Sequence, residues 1–522
     1  MRDPLSPAAA VTSRNAAMRT MDTSTPSYDT LTQAFTRMYR LQHLQSIASW
    51  DQAANMPPRG NEARAAAMAE MAALLHRMHT DPQLAQQLER AESEPLSAPQ
   101  RANLREMRRE WRQSNALPES LVQRAHMAGA RCEHAWRTQR PANDWKGFLG
   151  NFREVLAIER EAADALSQAS GLSRYDALID RFEPGMTSRT VDAVFGDLRN
   201  WLPALIGQVI DKQSRETLLQ PSGPFPVAAQ RRLCERVIGL LGFDFDGGRL
   251  DVSTHPFCGG VPEDVRMTTR FRDDEFLGSL MGTIHETGHG RYEQNRPREW
   301  LGQPLSESRS MAIHESQSLS FEMQLGSHPG FIVQLSPLLA QAFGAQAAFE
   351  PDNLHRLLTR VKPGLIRVEA DEVTYPAHVI LRYEIERPLI EGDIDADDIP
   401  ALWDAKMAEL LGLDTRGNFK DGPMQDVHWP SGLFGYFPCY SLGAMYAAQW
   451  FAAMRRAAPG LDARIARGDF APVFDWLRAH IWQPASRWTT DELARRASGE
   501  ALNPVHFKKH LHARYLPASQ AA

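Results

Sequence analysis

From Tyr28 to the C-terminus apolar residues recur at helical spacing, in long segments rich in Ala, Leu, Arg and Glu, and this pattern most restricts what the chain can become. It predicts an all-α, mostly helical protein. Gly- and Pro-rich breaks at 56–60, 93–100, 220–226, 387–400 and 422–432 divide the helices, and no shift in composition marks a free linker. β-type alternation clusters in one place, 248 to 272, around a Gly/Pro turn. One small β-hairpin or three-stranded sheet is expected there. With 522 residues, 43% of them hydrophobic, the chain can bury a large core. Residues 27–522 read as one helical domain, and residues 1–26, rich in Ala, Ser, Thr and Pro, as a disordered leader in which Met18 and Met21 are alternative starts.

Several function classes are disfavoured. The net charge of −6 and the lack of basic runs interleaved with aromatics argue against a nucleic-acid partner. No stretch of about twenty uninterrupted apolar residues suggests a membrane span. Cys132, Cys234, Cys258 and Cys439 are widely separated and form no CxxC pair, which fits reduced thiols in a cytoplasm.

The segment directly after the β-type cluster carries the chemistry. In "GTIHETGHGRYEQ", 282 to 294, His285 and His289 stand four apart, so a helix puts both on one face, with Glu286 beside them as a candidate general base. Asp273 or Asp274 is the expected N-cap, Pro297 the limit, and Leu277, Leu280, Met281 and Ile284 the buried stripe. Catalytic zinc commonly takes three protein ligands. "SESRSMAIHESQSLSFEMQLG" reads as a second helix closed by Gly326, with Glu315 on the face of Met311 and Leu319. A carboxylate on a buried face is costly unless it meets a cation, which selects Glu315 as third ligand, with His314 and Glu322 as rivals. Zn²⁺ on His285, His289 and Glu315 would bring a bound water's pKa toward about 7, and Glu286 would take its proton.

The ordered motifs "HPF" (255–257), "DVRMT" (264–268), "HETGH" (285–289), "HESQS" (314–318), "IRVEAD" (366–371) and "GPMQDVHW" (422–429) resemble those of the M32 metallocarboxypeptidases, the carboxypeptidase Taq family. "WDQAANMPPRG" (50–60) is similar to the family's N-terminal signature, so the resemblance runs from about residue 28 to the C-terminus. It implies a two-leaved, neurolysin-like fold with a deep groove, a homodimer, and removal of single residues from the C-termini of peptides. The family's metal ligands fall on His285, His289 and Glu315 and its general base on Glu286, the four residues already selected. Co²⁺ or Mn²⁺ could replace Zn²⁺. Cys258, Gly259 and Cys439 depart from the family's pattern beside the site.

An exopeptidase must recognise a free carboxylate, which a bidentate arginine suits. Arg367 is the first candidate, four residues from Asp371 on an expected helix; Arg266 is the second, with organisation of the β-hairpin as its alternative role. His428 and Tyr436 are the candidate oxyanion donors, Tyr436 ranking above Tyr440 because helical zinc peptidases of similar shape place a His and a Tyr there. Gln425, Asp426 and Trp429 are expected to brace their loop. His255 either contacts substrate or zinc-bound water, or fixes the hairpin. The expected activity is that of a zinc carboxypeptidase of broad specificity on small and medium peptides. An endopeptidase or dipeptidyl carboxypeptidase on the same scaffold is the near alternative, and a noncatalytic helical binding protein the distant one.

Overall fold

The computed structural model describes residues 24–516. The expected leader therefore lies almost wholly outside the described residues. The protein is all-α with one small sheet. Four helices come first: α1 (Pro26–Ala54), α2 (Asn61–His79), α3 (Pro82–Glu92) and α4 (Ala98–Ala116). Their starts are marked in the sequence. Asp81 caps α3, and Ser97 with Gln100 forms a capping box on α4. Tyr28, Leu31, Phe35 and Met38 line one face of α1 and pack on Leu84, Leu88, Leu104 and Met107 in a small core of their own.

A second and far larger core runs from Leu121 to Tyr515. It begins with α5 (Glu119–Gln139), α6 (Trp145–Ser170) and α7 (Arg174–Phe182). The two cores are stitched by polar contacts: Asn103 of α4 donates to Gln303 and accepts from the Leu305 N–H, and Glu106 meets Arg309 at 2.9 Å.

The β-type segment forms strands β1 (Gly248–Val252), β2 (Phe257–Val261) and β3 (Asp264–Thr269) in the order β1-β3-β2. The expected hairpin is the β2–β3 pair; β1 adds to the other edge of β3 in parallel. The sheet leads into α8 (Leu277–Gln294), which carries the His-Glu motif. Neither Asp273 nor Asp274 caps it. Asp273 instead accepts from the Val227 N–H, Asp274 pairs with Arg272, and Glu275 accepts from the Gly278 N–H in the first turn. The second helix is also shorter than expected: α9 spans Met311–Leu319, capped by Ser310, and widens into a π-helical turn over Ser320–Gly326. Helices α10 (Tyr375–Glu391) and α11 (Pro438–Ala457) complete the surroundings of the site. Among the described residues no helix is long and apolar enough to cross a membrane.

Candidate metal centre and arginine pocket

The candidate metal ligands come together because two glycines let three helices touch. A Cβ on Gly288, inside the HETGH motif, would lie 2.4 Å from the Gln317 carbonyl oxygen and 2.6 Å from Ser318 Cα, so α8 and α9 cross backbone to backbone. A Cβ on Gly443 of α11 would lie 2.7 Å from Glu315 Cβ, which pins that carboxylate from the opposite side. Glu315 Oε2 consequently stands 3.8 Å from His285 Nε2 and 3.4 Å from His289 Nε2. The donor atoms of the three residues all lie within 4.8 Å of one another, the geometry that a single cation requires.

The other nitrogens of both imidazoles are already engaged. His285 Nδ1 is 2.7 Å from Glu322, and His289 Nδ1 is 2.6 Å from His314, whose Nε2 is 2.9 Å from Glu293. Glu293 in turn accepts from Arg296 at 2.7 Å. The two rival ligands thus stand one bond behind the triad and fix which nitrogen faces its centre, the arrangement expected around metal-bound histidines. Two imidazoles and a carboxylate converging at this spacing fit a divalent cation. Burial would raise the Glu315 carboxyl, but the charge on His285 and the bond from His289 outweigh it and hold it near about 2. Glu286 is buried too. Burial, reinforced by Glu315 and Glu322 and opposed by His285, pushes its carboxyl up to about 7.

The second half of the site is an arginine pocket assembled from distant segments. Arg367 is buried on a 3₁₀ turn, Arg367–Glu369, not on a helix, and Asp371 does not hold it. The Asp371 carboxylate is consumed by its own turn, accepting from the backbone N–H groups of Lys362, Val373 and Thr374 and from the Thr374 hydroxyl. The anion that holds Arg367 is Asp426: its Oδ1 accepts from Arg367 Nε at 2.9 Å, and its Oδ2 accepts from Arg382 Nε of α10 at 2.6 Å. Burial alone would raise the Asp426 carboxyl; Arg382 and Arg367 together keep it far below the usual carboxylate range. Arg367 also donates to the Tyr375 hydroxyl at 2.6 Å and lies over the Tyr440 ring at 4.8 Å. Gln425 accepts from the Arg367 N–H and donates to the Leu365 and Asp421 carbonyls, and Trp429 donates to Glu386.

Between the two halves lie the loop residues. His428 Nε2 is 3.0 Å from the Tyr440 hydroxyl, and its buried Nδ1 has no partner among the described residues. Burial first, then the Arg367 charge, pushes His428 down to about 3, so the ring is neutral at ordinary pH. Tyr436 stacks edge-on against Tyr440 at 5.3 Å and against Phe182 at the end of α7 at 5.1 Å. Burial raises the phenols of Tyr375, Tyr436 and Tyr440, with Glu315 adding to the rise and Arg367 opposing it. The three phenols thus lie under the influence of both the Glu315 carboxylate and the arginine.

Arg266 and His255 are not brought into this cluster. Arg266 forms a two-point pair with Asp264 and lies 4.5 Å over the Trp50 ring, which ties the sheet to α1. His255 is exposed on the β1–β2 connection, and its carbonyl accepts from Ser253. Tyr375 and Arg382, by contrast, went unread in the sequence; they stand seven residues apart on α10, a spacing that puts both on one face.

The carboxypeptidase Taq (M32) metallopeptidase family matches residues 30–515. The chain belongs to that family. A curated member, thermostable carboxypeptidase 1 of Thermus thermophilus, is 39% identical over 487 residues, covering 91% of this chain and 95% of its own. Carboxypeptidase 1 of Bacillus subtilis is 32% identical, covering 92% and 97%. Among solved structures, metallocarboxypeptidase 1 of Trypanosoma cruzi superposes with a TM-score of 0.92 at 47% identity over 95% of this chain and all of that one. The M32 carboxypeptidase of Deinococcus radiodurans R1 gives 0.88 at 32%, over 94% and 99%. M32 membership makes the chain a metal-dependent peptide hydrolase, and the His285, His289 and Glu315 cluster is the potential metal-binding triad seen here.

Proposed function

We propose that this M32 peptidase is a zinc carboxypeptidase that removes single residues of broad sequence from the C-termini of peptides. The observation that carries the reading is the buried Arg367, stacked at 4.8 Å over Tyr440 of α11, about one turn before the Gly443 that packs on Glu315. A fixed guanidinium that close to a candidate metal centre suits a terminal carboxylate one residue beyond the scissile bond. A divalent cation on His285, His289 and Glu315 would supply Lewis-acid polarisation of water and of the scissile carbonyl. Two nitrogen donors and one carboxylate suit Zn²⁺, and Co²⁺ or Mn²⁺ accept the same set.

The chain's own groups do the rest. Glu286, raised by burial toward neutrality, takes a proton from the attacking water and returns it to the departing amine. Neutral His428 and the phenol of Tyr436 donate to the oxygen that gains charge. Tyr440, bonded to His428 and stacked on Arg367, couples the donor loop to the carboxylate pocket and borders the substrate. The pairing of Arg266 with Asp264 favours its structural alternative over a direct role in binding the terminus, and the bond from the Ser253 hydroxyl to the His255 carbonyl favours fixing of the β1–β2 connection. The enzyme acts as a homodimer in the cytoplasm, a setting that suits its four free cysteines.

Metal analysis with a C-terminal ladder assay tests the reading. One zinc per chain and products shortened by one residue at a time are expected. A ladder in steps of two, or internal cuts, would instead indicate a dipeptidyl carboxypeptidase or an endopeptidase. Light scattering should give the mass of two chains at micromolar concentration, and a monomer would contradict the assembly.

A further inference from the structure

A cavity of about 660 Å³ lies where α4 meets the end of α6 and α7, lined by none of the residues of the metal centre. Its floor is apolar, made by Leu104, Leu166, Ala169, Leu172 and Ala177. Its rim is cationic. Arg101, Arg105, Arg108, Arg109 and Arg112, spaced along one face of α4, line it together with only two carboxylates, Glu92 and Asp180. Those carboxylates do not balance the rim. Glu92 pairs with Arg108 at 2.7 Å and Asp180 with Arg109 at 3.8 Å, while Arg105 turns to Glu106 at 2.7 Å. Arg101 donates only to the Leu96 carbonyl, and Arg112 has no carboxylate partner among the described residues. The Nε of Arg109 is buried and makes no hydrogen bond, its one carboxylate neighbour, Asp180, standing at 3.8 Å.

A solvated helix face would explain exposed arginines, but it explains neither the apolar floor beneath them nor a buried guanidinium N–H whose carboxylate stands beyond hydrogen-bond reach. The volume falls in the range of small-molecule sites. We propose that this cavity binds an amphipathic anion, with an oxyanion head beside Arg109 and Arg112, about one turn apart on α4, and a hydrocarbon body on the Leu104, Leu166 and Leu172 floor. The head gives Arg112 the carboxylate partner it lacks; the body covers apolar surface facing the opening. Neither alone suffices. A bare inorganic anion would leave the floor wet, and a neutral hydrocarbon would leave the guanidinium charges unmet.

Isothermal titration of the full-length protein with decanoate, kept below its micelle concentration, tests this. One site per chain is expected, with decanol and acetate each weaker by about tenfold or more. The Arg112→Ser variant should weaken decanoate by at least about tenfold. The Arg112 side chain is exposed, so the variant's thermal midpoint without ligand should match the wild type. Because the arginine pocket beside the metal centre also suits a carboxylate, the Arg367→Ala variant is titrated in parallel and should bind decanoate as the wild type does. Absence of wild-type binding, binding that survives in Arg112→Ser, or binding lost in Arg367→Ala would each overturn the proposal.

Discussion

The two halves of the site are built in opposite ways. The candidate metal cluster draws His285, His289 and Glu315 from two helices, α8 and α9, and even their outer partners Glu293, His314 and Glu322 lie on those helices and the π turn that extends α9. The arginine pocket draws Arg367 from a 3₁₀ turn, Tyr375 and Arg382 from α10, and Asp426 from a loop 59 residues beyond Arg367. Helix periodicity places the first set; only the tertiary fold places the second. The difference teaches that each half should fail in its own way, the metal half by losing its ion and the arginine half by leaving cations buried without an anion.

The largest effect should come from the metal half. Chelation, or Glu315→Ala, is expected to abolish the bound ion and hydrolysis together, since ligands and ion form one unit. Elemental analysis alongside activity checks this, and full activity in a rigorously metal-free preparation would break the account. Within the same half, Glu286→Gln should keep the metal yet lower kcat by roughly 10² to 10⁴. Equal loss of metal from the Glu286 and Glu315 variants would erase the division of roles between them.

The arginine half should answer through stability first. Asp426→Asn removes the one anion shared by two buried guanidiniums, and breaking a buried pair in this way costs about 3 to 5 kcal/mol. Denaturant unfolding would reveal it, and a variant as stable as the wild type would mean that the pocket is less dry than its burial indicates. The smallest effect is expected from Asp371→Ala, which strips acceptors from a local turn. It should cost about 1 to 3 kcal/mol of stability with kcat/KM changed less than by Asp426→Asn. A larger catalytic effect at Asp371 would restore the role that its spacing from Arg367 first suggested.

These two aspartates show where the sequence stops being readable. His285 and His289 were legible because four residues on a helix define a face, and Glu315 because a carboxylate on an apolar face needs a cation. Asp371 was misread by the same logic, applied where there is no helix: Pro363 and Gly364 before "IRVEAD" and Pro376 after it leave room only for turns. Asp426 was recognised as a brace for its loop, but no local pattern names a partner 59 residues away. The helical class and the single β segment were legible for the same reason as the histidines. The parallel β1–β3 pairing was not, because parallel neighbours carry no turn between them to announce the pairing. Gly288 and Gly443 passed unnoticed since a close helix crossing leaves no signal in hydrophobic periodicity.

The claim on which both halves depend is that Arg367 reads the substrate's free carboxylate, and paired kinetics on one peptide as its free acid and as its amide test it most directly. The wild type should strongly favour the free acid. Truncating one side of a buried charge pair costs about 2 to 5 kcal/mol. Arg367→Ala should therefore lose roughly thirty- to several-thousand-fold in kcat/KM on the free acid. It should lose little on the amide, bringing the ratio of the two substrates toward unity. A variant that retains the wild-type preference would contradict the account and show that the terminus is read elsewhere, with Arg266 the next residue to test.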